Sequence, residues 1–85
     1  MPEISRFLGI VIRIYYRDHA APHFHARYGA QAVVVDIATG AVEGRFPPRV
    51  LRLLLEWYSL HRAELLEDWR RAEQRKALLP IDPLE

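Results

Sequence analysis

Between Arg49 and Leu79 the chain contains neither glycine nor proline, whereas the stretch before it is broken at Gly9, Pro22, Gly29, Gly40, Gly44 and the pair Pro47–Pro48. A run without a breaker permits a helix of up to about 30 residues, and the proline pair stops any strand from continuing into it. Leu51, Leu54, Leu55, Tyr58, Leu65, Leu66 and Trp69 recur at i, i+3, i+4 and i+7 along that run, with Arg62 the one polar intrusion. Ser59 stands where an N-cap would divide the run into two consecutive helices. From Leu78 the chain is punctuated by prolines and reads as an irregular tail over 77–85, with Leu79 and Ile81 tucked against the rest.

Ahead of the prolines the period changes from 3.6 to 2. Ile10, Ile12, Ile14 and Tyr16 alternate with Val11, Arg13, Tyr15 and Arg17, the pattern of a half-buried strand over 9–17. Asp18 to Pro22 is a turn, after which Phe24, Ala26 and Tyr28 share one face of a second strand and His23, His25 and Arg27 the other. Gln31 to Ile37 forms a third strand, and Ala38-Thr39-Gly40 a tight turn into a short fourth over 41–46. The three successive valines Val33 to Val35 suggest a strand covered on both sides. The expectation is an α+β fold: a four-stranded antiparallel β-meander (about 8–46) packed against one long or two consecutive C-terminal helices (about 48–76), in a single domain over 1–85.

With 85 residues, one core is expected, and an apolar content of 51% supplies it without cross-links. The absence of cysteine excludes disulfides and thiolate metal sites and suits a cytoplasmic protein. The apolar N-terminal stretch is cut by Arg13 too soon to be a signal core or a membrane span. A net charge of +1 gives no bulk attraction to nucleic acid, although the cations before Pro47, all arginines (Arg6, Arg13, Arg17, Arg27, Arg45), outnumber the four acids there.

Three of the four histidines, His19, His23 and His25, fall within seven positions. His23 and His25, two apart on a strand, stand on the same face about 6–7 Å apart, and His19 at the turn can fold back towards them. Three converging imidazoles suit zinc or a similar divalent ion; the same set suits metal-free acid/base chemistry, which requires no cofactor. The plain alternative is half-buried aromatic rings with a hydrogen bond each. Arg13, Arg17 and Arg27 lie on the polar faces of the same strands, where guanidinium groups hold phosphate or simply solvate a sheet. Such a combination resembles the equipment of a metal-independent ribonuclease. Tyr15 and Tyr16 are packing residues of which only one can face the core, and His61 sits on a charge-laced helical surface. Trp57 and Trp69 differ in angular position, which assigns one to the core and the other to a contact patch for a partner.

Several separated blocks, Pro2, Ile4, Ser5, Arg6, Phe7; Tyr15, Tyr16, Asp18, His19; Pro22, His23, Phe24, His25, Ala26; and His61, Arg62, Glu64, Leu65, Trp69, agree in order and spacing with one known pattern. On these blocks the chain resembles the small bacterial domain of unknown function 4160 family over essentially its whole length. Members are regarded as toxins of type II toxin–antitoxin modules, often encoded beside a second small protein. The resemblance implies a cognate antitoxin as partner and a bacterial cytoplasm. It transfers no catalytic residue; the chemistry of the residues points to His19, His23, His25, Arg17 and Arg27, with Arg6 and His61 as lesser candidates. The expected role is a toxin acting on RNA or translation. The alternatives are a non-enzymatic metal- or partner-binding module, with homo-oligomers allowed, or the regulatory half of the pair.

Overall fold

A backbone carrying β-branched residues at period two pleats so that alternate side chains share a face. In the computed structural model, which describes residues 3–16 and 20–85, Ile10, Ile12 and Ile14 are fully buried while Val11, Arg13 and Tyr15 are half-buried. The elements are β1 (Glu3–Phe7), β2 (Ile10–Arg13), β3 (His23–Tyr28), β4 (Gln31–Asp36), β5 (Val42–Gly44) and α1 (Pro48–Glu73). The strands form one antiparallel sheet in the order β1-β2-β3-β4-β5, with α1 packed on a single face.

The meander therefore has five strands rather than the expected four. The additional strand arises because the chain reverses at Leu8-Gly9, where Phe7 pairs with Ile10 across a two-residue loop. Both loop residues have positive φ, 51° at Leu8 and 84° at Gly9, the mirror-image turn whose twist matches a hairpin. Leucine rarely adopts that conformation, so no turn signal marks the site.

The helix runs as one element in which two helical segments meet at a kink. His61 departs from helical geometry (φ −122°, ψ 21°). Ser59 does not cap a second helix; its hydroxyl donates to the Glu56 carbonyl at 2.8 Å, a back-bond of the kind that bends helices. Pro48 at the first position and Arg70 and Arg71 in the last turn suit the two ends of the helix dipole. The helix stops at Glu73, three residues short of expectation. Lys76 N–H donates to Arg71 O at 2.8 Å and Arg75 N–H to Ala72 O at 3.1 Å, a Schellman closure with Arg75 left-handed at φ 58°.

Val50, Leu54, Trp57, Leu65, Asp68, Trp69 and Ala72 are the residues that α1 buries. The stripe is rotated from the expected one, leaving Leu51, Leu55, Tyr58 and Leu66 half-buried at its flank. Both tryptophans join the core, so neither marks a surface patch. Trp57 can be fully buried because its indole N–H reaches the Asp82 carbonyl at 2.8 Å. The tail lies against β1 through Ile81 N–H to Ile4 O at 2.8 Å; Ile81 is buried, whereas Leu79 is 47% exposed and not tucked in. Among the described residues no helix is long and apolar enough to cross a membrane.

Candidate functional site

The strand register lays out the sheet face that α1 leaves uncovered. Alternation and pairing give a row Arg6–Val11–Arg27–Ala32, then Glu3–Arg13–His25–Val34–Glu43, then His23–Asp36. His23, His25, Arg13 and Arg27 thus come from two neighbouring strands onto one surface. Val34 is half-buried and its neighbours Val33 and Val35 are buried, so β4 is covered on one side only.

The imidazoles of His23 and His25 lie 5.1 Å apart between ring centroids, in an edge-on arrangement. Their outer flanks are aromatic: Tyr15 meets His25 at 4.5 Å and Trp69 meets His23 at 5.0 Å. Trp69, His23, His25 and Tyr15 are a continuous file of rings. Nδ1 of His23 is 2.7 Å from the Ala21 carbonyl oxygen. A carbonyl only accepts, so Nδ1 carries the proton, and in the neutral ring Nε2 is then the atom with the lone pair that a base or a metal ligand uses.

Beside His23 opens a cleft of about 420 Å³, lined by Ala20, Ala21, His23, Val34, Asp36 and Glu43. Asp36 sits opposite His23 in the register. Its carboxyl is held below the usual carboxylate range, first by the Thr39 amide and more weakly by the Ala38 amide and the charge of His23. Asp36 Oδ1 accepts from those amides at 2.9 and 2.8 Å, closing the turn between β4 and β5. One row away, a recess of about 50 Å³ is lined by Val11, Arg13, Tyr15, His25, Arg27 and Ala32.

Four of the residues singled out by sequence, His23, His25, Arg13 and Arg27, therefore meet. His19 and Arg17 lie outside the described residues. Arg6 lies on the same face but is held by Glu3 through a two-pronged ion pair at 2.8 and 3.0 Å. His61 is engaged at the helix kink, with Nδ1 2.6 Å from Glu64 Oε1 and its ring 5.5 Å from Trp57. Among the described residues no three His, Asp or Glu side chains converge as a ligand set for a metal.

The family model for a domain of unknown function, DUF4160, matches residues 9–70, a span that takes in the whole histidine face and most of α1. The chain belongs to the DUF4160 family. No curated protein and no solved structure matches it.

In this DUF4160 chain several neighbours of the histidines escape a strand-by-strand reading. Asp36 was findable: with Gly29 and Ala30 as a two-residue loop, Tyr28 pairs with Gln31, and counting back places Asp36 against His23. Trp69 was not, since its approach to His23 depends on how α1 crosses the sheet. Nor was the clamp by which Tyr58 and Arg62 hold the β4–β5 turn. Tyr58 Oη donates to Ile37 O at 2.6 Å; Arg62 donates through Nε to the same carbonyl at 3.1 Å and also to Ala38 O. That clamp ties the wall of the cleft to the helix.

Proposed function

We propose that this chain is the toxin of a two-protein toxin–antitoxin module and cleaves RNA with His23 and His25 as its acid/base pair. The reading is carried by one observation: two half-buried imidazoles 5.1 Å apart on the sheet face opposite Phe24 and Ala26, one of them with its Nδ1 proton tied to a backbone carbonyl. His23 Nε2 takes the proton of a ribose 2′-hydroxyl, whose oxygen attacks the adjacent phosphorus. The bond from phosphorus to the 5′-oxygen breaks, and His25 in its imidazolium form delivers a proton to that oxygen. The products are a 2′,3′-cyclic phosphate and a 5′-hydroxyl. Arg27, and Arg17 by the sequence reading, neutralise the non-bridging oxygens as charge grows there. The family resemblance supports the cellular setting, a bacterial cytoplasm with a small antitoxin as partner.

The test is cleavage of a single-stranded RNA by the purified full chain, with end-group analysis and with and without a chelator. His23→Ala and His25→Ala are each expected to slow cleavage by about 10²–10⁴-fold and to relieve growth arrest on expression. Growth arrest and cleavage that persist unchanged in the double variant would overturn the reading. Cleavage abolished by chelation would replace it with a metal-assisted one in which His19, His23 and His25 are ligands for an ion such as zinc.

A further inference from the structure

The sheet face that carries the histidines leaves one buried donor of Arg13 unpaired. Its Nε is buried and has no hydrogen-bond partner among the described residues. A buried charged donor without an acceptor costs more than an ordinary lost hydrogen bond, so such a group normally faces an anion. The acid placed to serve it is Glu3, its partner in the β1–β2 register. Both carboxylate oxygens of Glu3, however, accept from Arg6, so Glu3 acts on Arg13 as a nearby charge and not as a hydrogen-bond acceptor. Asp36 is tied into its own turn, and Glu43 stands beyond Val34 on the far side of His25.

Arg27 adds a second cation beside Arg13. It lies two residues from His25, the pairing partner of Arg13, so the two arginines are diagonal neighbours on adjacent strands. Diagonal positions are about 7–8 Å apart at Cα, within reach of long side chains, and like charges so placed repel unless something negative lies between them. Between them is the recess of about 50 Å³, which Tyr15, His25, Val11 and Ala32 also line. That space holds more than a single water and admits a small oxyanion between the two guanidinium groups. Guanidinium groups grip such an anion by two parallel N–H donors.

We infer that the recess between Arg13 and Arg27 is a phosphate-binding site, separate from the cleft beside His23. The anion site stands on the unpaired Nε of Arg13 and on the recess that it shares with Arg27. Its occupant as a backbone phosphate of RNA, next to the phosphate that is attacked, rests on the function proposed above. Arg13 is then a substrate-positioning residue that sequence spacing left indistinguishable from its neighbours.

The experiment follows the Arg13 Nε–H resonance of the ¹⁵N-labelled full chain by NMR. Inorganic phosphate is titrated first, then a short single-stranded RNA on the His23→Ala, His25→Ala double variant. A saturable shift of the Arg13 signal by phosphate is expected, weakened about tenfold or more in Arg27→Gln. In Arg13→Lys, which keeps the charge but loses the fork, phosphate affinity measured by calorimetry falls to a similar degree. RNA that shifts the same resonance and competes with phosphate identifies the polynucleotide backbone as the source. Phosphate without RNA binding identifies a free phosphate or small phosphoester, and upholds the site while removing its link to RNA. No response of Arg13 Nε–H to either probe overturns the inference, even if the wild-type chain cleaves RNA. A response in a chain that cleaves nothing upholds the anion site and sinks the ribonuclease reading.

Discussion

Leu8 and Asp68 each hold a conformation or a charge state that their residue type disfavours, and each makes a prediction. Leu8 is 60% exposed, so its side chain contributes little packing, while its φ of 51° carries the left-handed penalty of roughly 1–2 kcal/mol. Replacing it with asparagine creates the Asn-Gly pair that this turn favours. Leu8→Asn is expected to raise unfolding free energy by about 1 kcal/mol in denaturant titration, with the slope unchanged. Asp68 is 1% exposed on the core side of α1. One oxygen accepts from Leu79 N–H at 2.8 Å, and the other, buried, has no partner among the described residues.

Burial pushes the Asp68 carboxyl up, helped by Glu67 and Glu64; the Leu79 amide and Arg71 only partly oppose the shift. A raised folded value means that the native chain keeps its proton while the unfolded chain has lost it. Stability therefore falls as pH rises from the ordinary aspartate value of 3.8 through the raised folded one. Asp68→Asn should remove that part of the pH dependence while keeping an acceptor for Leu79. Unfolding midpoints for the two proteins measured at successive pH values between about 3 and 8 decide it: parallel curves would mean that Asp68 titrates normally. Glu3 and Asp36, both held below the ordinary range by their hydrogen bonds, have the opposite sign and cancel in the comparison.

Among the elements, the shortest strand has the tightest constraint. At Gly44 the backbone has φ 103°, and a Cβ would fall 2.5 Å from the Ala32 carbonyl oxygen, inside β4. A main-chain atom held in a ladder cannot move aside. Gly44→Ala is expected to cost about 1–3 kcal/mol from φ alone and more from the clash. Loss of amide protection confined to β4 and β5 in hydrogen exchange would show that the damage is local; a cost below 0.5 kcal/mol, as at ordinary surface sites, would contradict it. Most of the elements were legible beforehand. Alternation sorted Ile10, Ile12 and Ile14 from Val11, Arg13 and Tyr15, and Phe24 and Ala26 from His23 and His25. The proline pair marked where α1 begins. Missed were the reversal at Leu8-Gly9, because leucine hides the turn, and the phase of the helical stripe. That phase follows from Trp57, which is admitted to the core by a carbonyl 25 residues further along the chain.

Across the whole molecule, the tail decides how well the sheet edge is protected. Asp68, Trp57, Arg71 and Tyr16 all bond backbone groups between Lys76 and Asp82, and Ile81 bonds β1 directly. An edge strand with free amides invites pairing with another chain, and this segment covers that of β1. Ile81→Ala should cost about 2–4 kcal/mol, as for other buried isoleucines, and a Tm unchanged within a degree would show that the tail adds nothing.

From sequence alone came the fold class, the faces of the strands, the helical run and the gathering of His23, His25 and Arg27 on one surface. All of these follow from local periodicity and breakers, which act before any long-range contact forms. Only the tertiary structure decided that Trp69 flanks His23, that Glu3 hydrogen-bonds Arg6, and that Arg13, lining a recess, is left with no hydrogen-bond partner for its buried Nε among the described residues. Those outcomes depend on which of several chemically equivalent partners the packed chain brings within about 3 Å, a choice that residue spacing does not encode.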